Sequence, residues 1–185
     1  MKLLTMARAI LGLALAITAS CAPAAKTYTG DSLIAEGFTE VSEGVYFRNT
    51  TTALSVNGSS SGNELAAQTH FCQISDYEGT TGDYSAKVDD CWQVYRNVAV
   101  DGEWVIRQGH QKVVASYGTC VFGITAHGGA DVRIGNVDVH SALLESISQF
   151  ARQYPGDNFQ RIGAVGRFQC GWNSGDACIW GVYVR

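Results

Sequence analysis

Proline is almost missing from this chain, with two residues in 185 against 21 glycines, so its turns must be built on glycine. Basic residues are scarce as well: 13 Lys and Arg stand against 17 Asp and Glu, a formal net charge of -4. Two of the 13, Lys2 and Arg8, sit at the very start; without them 11 basic residues face 17 acidic ones, a net of -6. That balance argues against a nucleic-acid grip, which needs clustered Lys and Arg to displace counterions. It leaves no polybasic patch for anionic lipid either. After the first 24 residues no apolar run approaches the roughly 20 residues that span a bilayer. No Cys-x-x-Cys pair exists, and His70-Phe71-Cys72 offers only a two-position spacing, so no zinc site and no other cofactor is expected. There is no Gly-x-Ser-x-Gly elbow, and Ser116 lacks that motif's strand-turn-helix setting. Gly163-Ala164-Val165-Gly166 lies on an expected strand and lacks the helix a phosphate loop needs.

What is present at the front is a leader. Residues 1–24 carry a basic start, an apolar segment over Ala9 to Ala19, and an Ala22-Pro23-Ala24 cleavage site, the parts of a secretory signal peptide. Cys21 after Thr18-Ala19-Ser20 makes a poor lipoprotein site, without an aliphatic residue three positions earlier. The expected product is secreted, extracellular and without stable membrane insertion. Oxidising surroundings let disulfides persist, and the mature chain keeps Cys72, Cys91, Cys120, Cys170 and Cys178. Five is odd, so two bridges and one spare thiol are expected, and spacing does not fix the pairing. Cys72–Cys91 with Cys120–Cys170 is the preferred arrangement, leaving Cys178 unpaired; a Cys170–Cys178 clip across the last hairpin is the alternative.

The chain divides into the leader, an extension and Ser/Thr/Asn/Gly-rich linker over 25–69, and a compact domain over 70–185. The extension offers one short strand near Val45-Tyr46-Phe47-Arg48. Two glycosylation sequons follow, at Asn49 and Asn57. In the domain, Asp89 or Asp90 is expected to cap a helix to about Ala99, with Cys91, Tyr95 and Val98 on one face. Glu103 to Arg107 and Gln111 to Ser116 read as a hairpin across Gln108-Gly109-His110. Gly118 then breaks an apolar run. Beyond it Cys120, Phe122 and Ile124 share one face of a strand over Thr119 to Thr125, the organising element of the chain. Asp131 to Ile134 forms another strand. Val139, Leu143, Ile147, Phe150 and Tyr154 make the stripe of a long helix, capped by Asn136 or Asp138 and stopped by Pro155-Gly156. Strands over Ile162 to Cys170 and Cys178 to Val184 close the chain. The last is apolar on both faces and belongs inside a sheet. The fold class is α+β: an antiparallel β-sheet with two helices packed on one face.

Catalytic groups are hard to place. His70, His110, His127 and His140 are scattered through loops and a helix start, and read as surface residues. Asp89-Asp90 at a helix start is explained by the dipole. Glu43, Glu64 and Glu78 carry no motif, so a hidden hydrolase pair is the weakest of the functional readings. Of the four tryptophans, Trp172 in the last turn is the best placed as an exposed sugar platform, while Trp104 and Trp180 read as core.

Several stretches taken together resemble a known family. They are Asp90-Cys91 opening a helix, Asn97, Trp104, Ser116-Tyr117-Gly118-Thr119-Cys120-Val121-Phe122-Gly123 and Ile134-Gly135-Asn136-Val137-Asp138-Val139. Ser146-Ile147-Ser148-Gln149-Phe150, Ile162-Gly163-Ala164-Val165-Gly166, Cys170 and Trp180-Gly181-Val182-Tyr183 complete the set. In order and spacing, over Cys72 to Val184, they are similar to the necrosis-inducing-factor domain of filamentous fungi, a family of extracellular effectors secreted during plant infection. The resemblance implies a disulfide-stapled, killer-toxin-like α/β sandwich without catalytic activity. It maps the family's four cysteines onto Cys72, Cys91, Cys120 and Cys170. It also implies a monomeric virulence factor binding a plant apoplastic or cell-surface component, with a killer-toxin-like antimicrobial as the alternative. Gln73, where the family usually has Gly, and the long segment before His70 depart from the pattern.

Overall fold

The computed structural model describes residues 27–49, 70–98, 102–170 and 177–185. Among the described residues fifteen elements follow one another. The N-terminal part holds α1 (Gly30–Ala35), β1 (Thr39–Ser42) and β2 (Val45–Asn49). Then come β3 (Cys72–Gly79), β4 (Ala86–Lys87), α2 (Val88–Asn97), β5 (Gly102–Ile106), β6 (Lys112–Tyr117), β7 (Cys120–Ala126) and β8 (Val132–Gly135). The rest is α3 (Asn136–Phe150), β9 (Arg152–Gln153), β10 (Gln160–Ile162), β11 (Ala164–Cys170) and β12 (Ala177–Val184). The class is α+β with antiparallel sheets and two disulfides.

Where one sheet and two helices are expected, the described residues form three sheets and a third, short helix. A five-stranded sheet runs β3-β11-β12-β7-β6, a four-stranded one β1-β2-β5-β8, and a small one β4-β10-β9. β12 is central in the largest sheet, as its two apolar faces required. The organising strand, β7, pairs with it from Cys178↔Ala126 to Val184↔Cys120. Cys120, Phe122 and Ile124 are fully buried, on the face that the period-two pattern assigned to them. The two-residue Gly118-Thr119 turn joins β6 to β7, with Gly118 at φ 54, a left-handed conformation that suits glycine.

The expected hairpin of β5 with β6 does not form. β5 pairs with β2 and β8, while β6 pairs with β7. The connection between them passes from one sheet to the other, and the Gln108 N–H donates to Asp131 Oδ1 at 3.1 Å on the way. All five β5 residues are buried, which a surface hairpin would not allow.

One face of the four-stranded sheet and one of the five-stranded sheet feed a common core. Val45, Trp104, Ile106, Val132 and Ile134 come from the first, and Phe122, Ile124, Phe168 and Trp180 from the second. α2 lies against β6 and β7, and α3 against β3, each adding its apolar stripe. On α2 this is Val88, Cys91 and Val94; on α3 it is Val139, Ala142, Leu143 and Ile147. α3 ends at Phe150, short of the expected Tyr154, whose hydroxyl instead donates to the Thr81 carbonyl at 2.9 Å. The two Asp residues do not cap α2; Lys87 occupies that position without a side-chain bond.

The segment before the domain is more built than its composition indicated. α1 is closed by a capping box between Thr29 and Ser32. It lies on the other face of the four-stranded sheet, where Leu33 and Phe38 meet Tyr46 of β2 and Val105 of β5 in a second small core. Asp131 ties it down: its Oδ2 accepts the Tyr28 N–H at 2.8 Å.

Glycines in the strands make room for aromatic rings. A Cβ on Gly166 would collide with the Trp180 indole and the Asp76 carbonyl, and one on Gly79 with Phe150. Trp180 is fully buried and cannot yield. Gly166→Ala is therefore expected to lower stability by about 1–3 kcal/mol, measured by denaturant unfolding, as for other overpacked cores.

Candidate functional site

Among the described residues three places are candidates: a sulfur and carboxylate cluster inside, an arginine–glutamate cluster beneath the N-terminal segment, and an apolar sheet face with a charged edge. The first holds the cysteines. Cys72 bonds Cys170 and Cys91 bonds Cys120, not the pairing preferred from spacing. The sheet order gives the reason: Cys72 and Cys170 lie directly opposite each other on β3 and β11. Cys91 projects from the buried side of α2, which rests on β7 where Cys120 begins the strand. Cys178 is the spare thiol. It is buried 3.9 Å from Cys170 Sγ, without the clip that was the alternative. Burial, with the Asp138 charge adding to it, pushes that thiol up to about 12.

Asp138 sits beside them, its carboxylate shielded from solvent. It accepts the Gly135 N–H at 2.8 Å, the Phe71 N–H at 3.0 Å and the Cys72 N–H at 3.2 Å. His70 Nε2 approaches to 3.2 Å from outside. Burial raises the carboxyl's pKa against the pull of these three donors and of His70. The N-cap of α3 is neither Asn136 nor Asp138, the residues expected from the sequence; Gly135 holds that position, and Asp138, in the first turn, accepts its N–H and also fastens the start of β3. His140 stacks on Tyr95, ring centroids 4.2 Å apart, and burial pulls its pKa down. It is a packing residue between α3 and α2, whereas His110 and His127 are exposed.

In the second place Glu103, only 2% exposed, lies between Arg48 and Arg133. Arg48 also donates to the Glu36 carbonyl at 2.8 Å, and Arg133 Nη2 reaches Glu36 Oε2 at 3.3 Å. Phe38 lies under both guanidinium groups, at 4.6 and 5.4 Å. This cluster bolts the N-terminal segment to β5 and β8. Nothing local in the sequence marks it, since Glu103 alternates with Trp104 like any surface residue.

The third place is the face of the five-stranded sheet opposite the helices. Gly166, Phe168, Trp180, Val182, Phe122 and Ile124 point inward, so their neighbours Val165, Arg167, Ile179, Tyr183, Val121 and Thr125 point the other way. Most open antiparallel faces are polar. This one is aliphatic and aromatic along its middle. Gly123 and Gly181 pair across its centre, and the Tyr183 ring lies over Gly123, where an added Cβ would come within 2.7 Å of the phenol oxygen. Burial pushes the Tyr183 phenol up. Toward β3 the face opens into a cleft of about 450 Å³ lined by Asp76, Glu78, Val165, Arg167 and Ile179 among others, with Arg167 Nη1 3.8 Å from Asp76. Both carboxylates stand exposed, suited to contacting a ligand's hydroxyl and amide groups.

Among the described residues no three His, Cys, Asp or Glu side chains converge in a way that could hold a metal ion, and no helix is long and apolar enough to cross a membrane. Ser116 is exposed on β6 and Asn49 is exposed at the end of β2. Gly163 packs against Thr80 and Ser85 rather than opening a phosphate loop. Asn57, Glu64 and Trp172 lie outside the described residues.

The pattern of the Hce2 family, described as pathogen effectors and candidate necrosis-inducing factors, matches residues 71–170. The chain belongs to the Hce2 family. The match takes in both disulfides and runs from β3 to β11. The chain is also 31% identical over 117 residues to a protein named probable chitinase LysM18 from Penicillium expansum. That likeness covers 60% of this chain and 8% of the relative's length. The matched region thus contains Asp138 and Glu103, whose ties are described above, and Asp90, which accepts from Thr119.

Two of these ties give measurable consequences. Removing Glu103 would leave two guanidinium groups facing each other; Glu103→Gln is expected to cost about 3 kcal/mol in unfolding free energy, near the low end for a broken buried pair because both arginines still reach water. Asp90 is held below the usual carboxylate range by the Thr119 N–H at 2.8 Å and hydroxyl at 2.7 Å, with Lys87 adding a smaller pull. Its contribution is present above the ordinary aspartate pKa and is lost as pH falls through the lower folded value. Unfolding measured across the acid range should show a shallower loss of stability in Asp90→Asn than in the parent.

Proposed function

We propose that this Hce2 protein is a secreted effector that acts on plant tissue by binding an apoplastic or cell-surface component, and that it does not act by catalysis. The observation that carries the reading is the open face of the five-stranded sheet. It places Ile179 and Tyr183 on either side of Gly181 along β12, with Val165 opposite that glycine on β11 and Asp76, Glu78 and Arg167 toward the edge, an apolar centre with a polar rim. Membership of an effector family and two buried bridges accord with an extracellular life.

A second reading has one specific observation in its favour. The relative named a probable chitinase is far larger than the piece it shares with this chain, so that piece is a small part of the relative. A module that holds a wall polysaccharide would serve there, and an aromatic ring with carboxylates at the rim of the same face suits the flat faces and hydroxyls of sugars. On this reading the same face takes chitin-like chains instead of a host protein.

Infiltrating the purified protein into leaves of several plant species tests the first reading, and sedimentation with insoluble chitin tests the second. Arg167→Glu and Val165→Lys are expected to abolish whichever response the parent gives while leaving the melting temperature within a few degrees, since both side chains lie on the solvent face. Neither lesions, altered infection nor retention on chitin with the parent protein would refute both.

A further inference from the structure

Three sulfurs meet inside the protein and only two of them are bonded. Cys72 and Cys170 face each other across β3 and β11. Cys178 on β12 stands opposite Phe168, so it is the diagonal neighbour of Cys170 on the same inner face, with the two Sγ atoms 3.9 Å apart. Relative exposures are 2% for Cys72, 5% for Cys170 and 0% for Cys178. Dissolved thiols and oxidants are therefore kept away, while the spare thiol is already beside the bridge.

We propose that Cys170 is shared between two partners, the bridge exchanging between Cys72–Cys170 and Cys170–Cys178 inside the folded protein. Cys178 loses its proton and its sulfur attacks Cys170 Sγ. The new S–S bond forms as the bond to Cys72 breaks, and the electron pair leaves on the Cys72 sulfur, which takes up a proton. One disulfide and one thiol enter and leave, so no oxidant or reductant is consumed.

The exchange changes what holds β3. In the present pairing β3 is covalently fixed to β11. After exchange the bridge lies within the β11–β12 pair, and β3 is held by its ladder and by the bonds from the Phe71 and Cys72 N–H groups to Asp138. β3 is an edge strand and carries Asp76 and Glu78, one wall of the outer cleft. The device thus loosens or fixes that wall. The groups around the thiol set its pace. Asp138 on α3 faces Cys178, with His70 on the far side of that carboxylate, and burial together with this negative charge keeps the thiol protonated near neutrality. Exchange is accordingly slow at neutral pH and speeds up by roughly tenfold for each pH unit of base added, following the thiolate fraction.

The test holds the full secreted protein, dilute and free of added thiol, at about pH 7 and about pH 9.5. Samples are quenched in acid, alkylated and digested without reduction for mass spectrometry. Expected is a Cys170–Cys178 peptide that grows faster at the higher pH, alkylation moving from Cys178 to Cys72, and a rate independent of protein concentration. Cys178→Ser should keep Cys72–Cys170 throughout, and Cys72→Ser should be secreted with Cys170 bonded to Cys178. The proposal is overturned if the parent keeps only Cys72–Cys170, with label confined to Cys178 over days at high pH. A Cys170–Cys178 peptide whose rate scales with protein concentration overturns it equally.

Discussion

A buried carboxylate, Asp138, fastens segments that sequence distance would otherwise keep apart. Its two oxygens take the Gly135 N–H at the start of α3 and the Phe71 and Cys72 N–H groups at the start of β3. Taking that carboxylate out of water is costly, and the bonds offset the cost only while all three donors stay in place. The Cys72–Cys170 bridge then continues the tie from β3 to β11, and the β11–β12 ladder carries it to the centre of the sheet. The second bridge, Cys91–Cys120, pins α2 to β7 on the other half. By the chain-entropy account, loops separated by 98 and 29 residues give about 4.5 and 3.5 kcal/mol of stabilisation. A sheet clamped at both ends in this way can leave its outward face part-exposed at Val165, Ile179 and Tyr183, although Val121 on that face is buried.

The outward face of that sheet is the proposed contact surface. A central strand with apolar residues on both sides satisfies the inner core with Trp180 and Val182 and presents Ile179 and Tyr183 outward. Gly123 and Gly181 keep the middle of the face low, and Tyr183 lies across it. The charged groups are pushed to the rim, at Asp76, Glu78 and Arg167. Charge depleted at the centre and retained at the edge is the layout of a contact surface. It asks nothing of a nucleophile or a metal. The interior, meanwhile, spends its polar groups on holding segments together: Glu103 between two arginines, Asp131 on the Tyr28 and Gln108 amides, Asp138 on β3 and α3.

Much of this was legible in the chain. The stripe Val139, Leu143, Ile147 announced α3, and the alternation Cys120, Phe122, Ile124 announced β7, because helix and strand periods leave distinct marks. The doubly apolar end of the chain announced a central strand. Neighbourhood between distant elements left no such mark. β5 and β6 carry the alternation and glycine turn of a hairpin, yet they belong to different sheets, since the same pattern suits a strand buried between β2 and β8. The cysteine pairing failed for a related reason: it follows from which strands lie side by side, not from spacing. Glu103 and Asp138 look like surface residues in the sequence, and only their partners, 55 and 66 or 67 positions away, make them interior. The N-terminal helix leaves little mark in the sequence because its stability comes from Leu33 docking on Tyr46 and Val105, a contact no six-residue window can disclose.

The central claim is that the outer face of the five-stranded sheet makes the contact with the plant. Side-chain oxidative footprinting of the intact protein, with and without apoplastic wash fluid from a responsive leaf, tests it directly. The account predicts that Tyr183 and Ile179 become protected while Leu144 on α3 and Tyr84 in the loop before β4 react as before. Protection of Leu144 or Tyr84 with Tyr183 and Ile179 unchanged would place the contact elsewhere and contradict it.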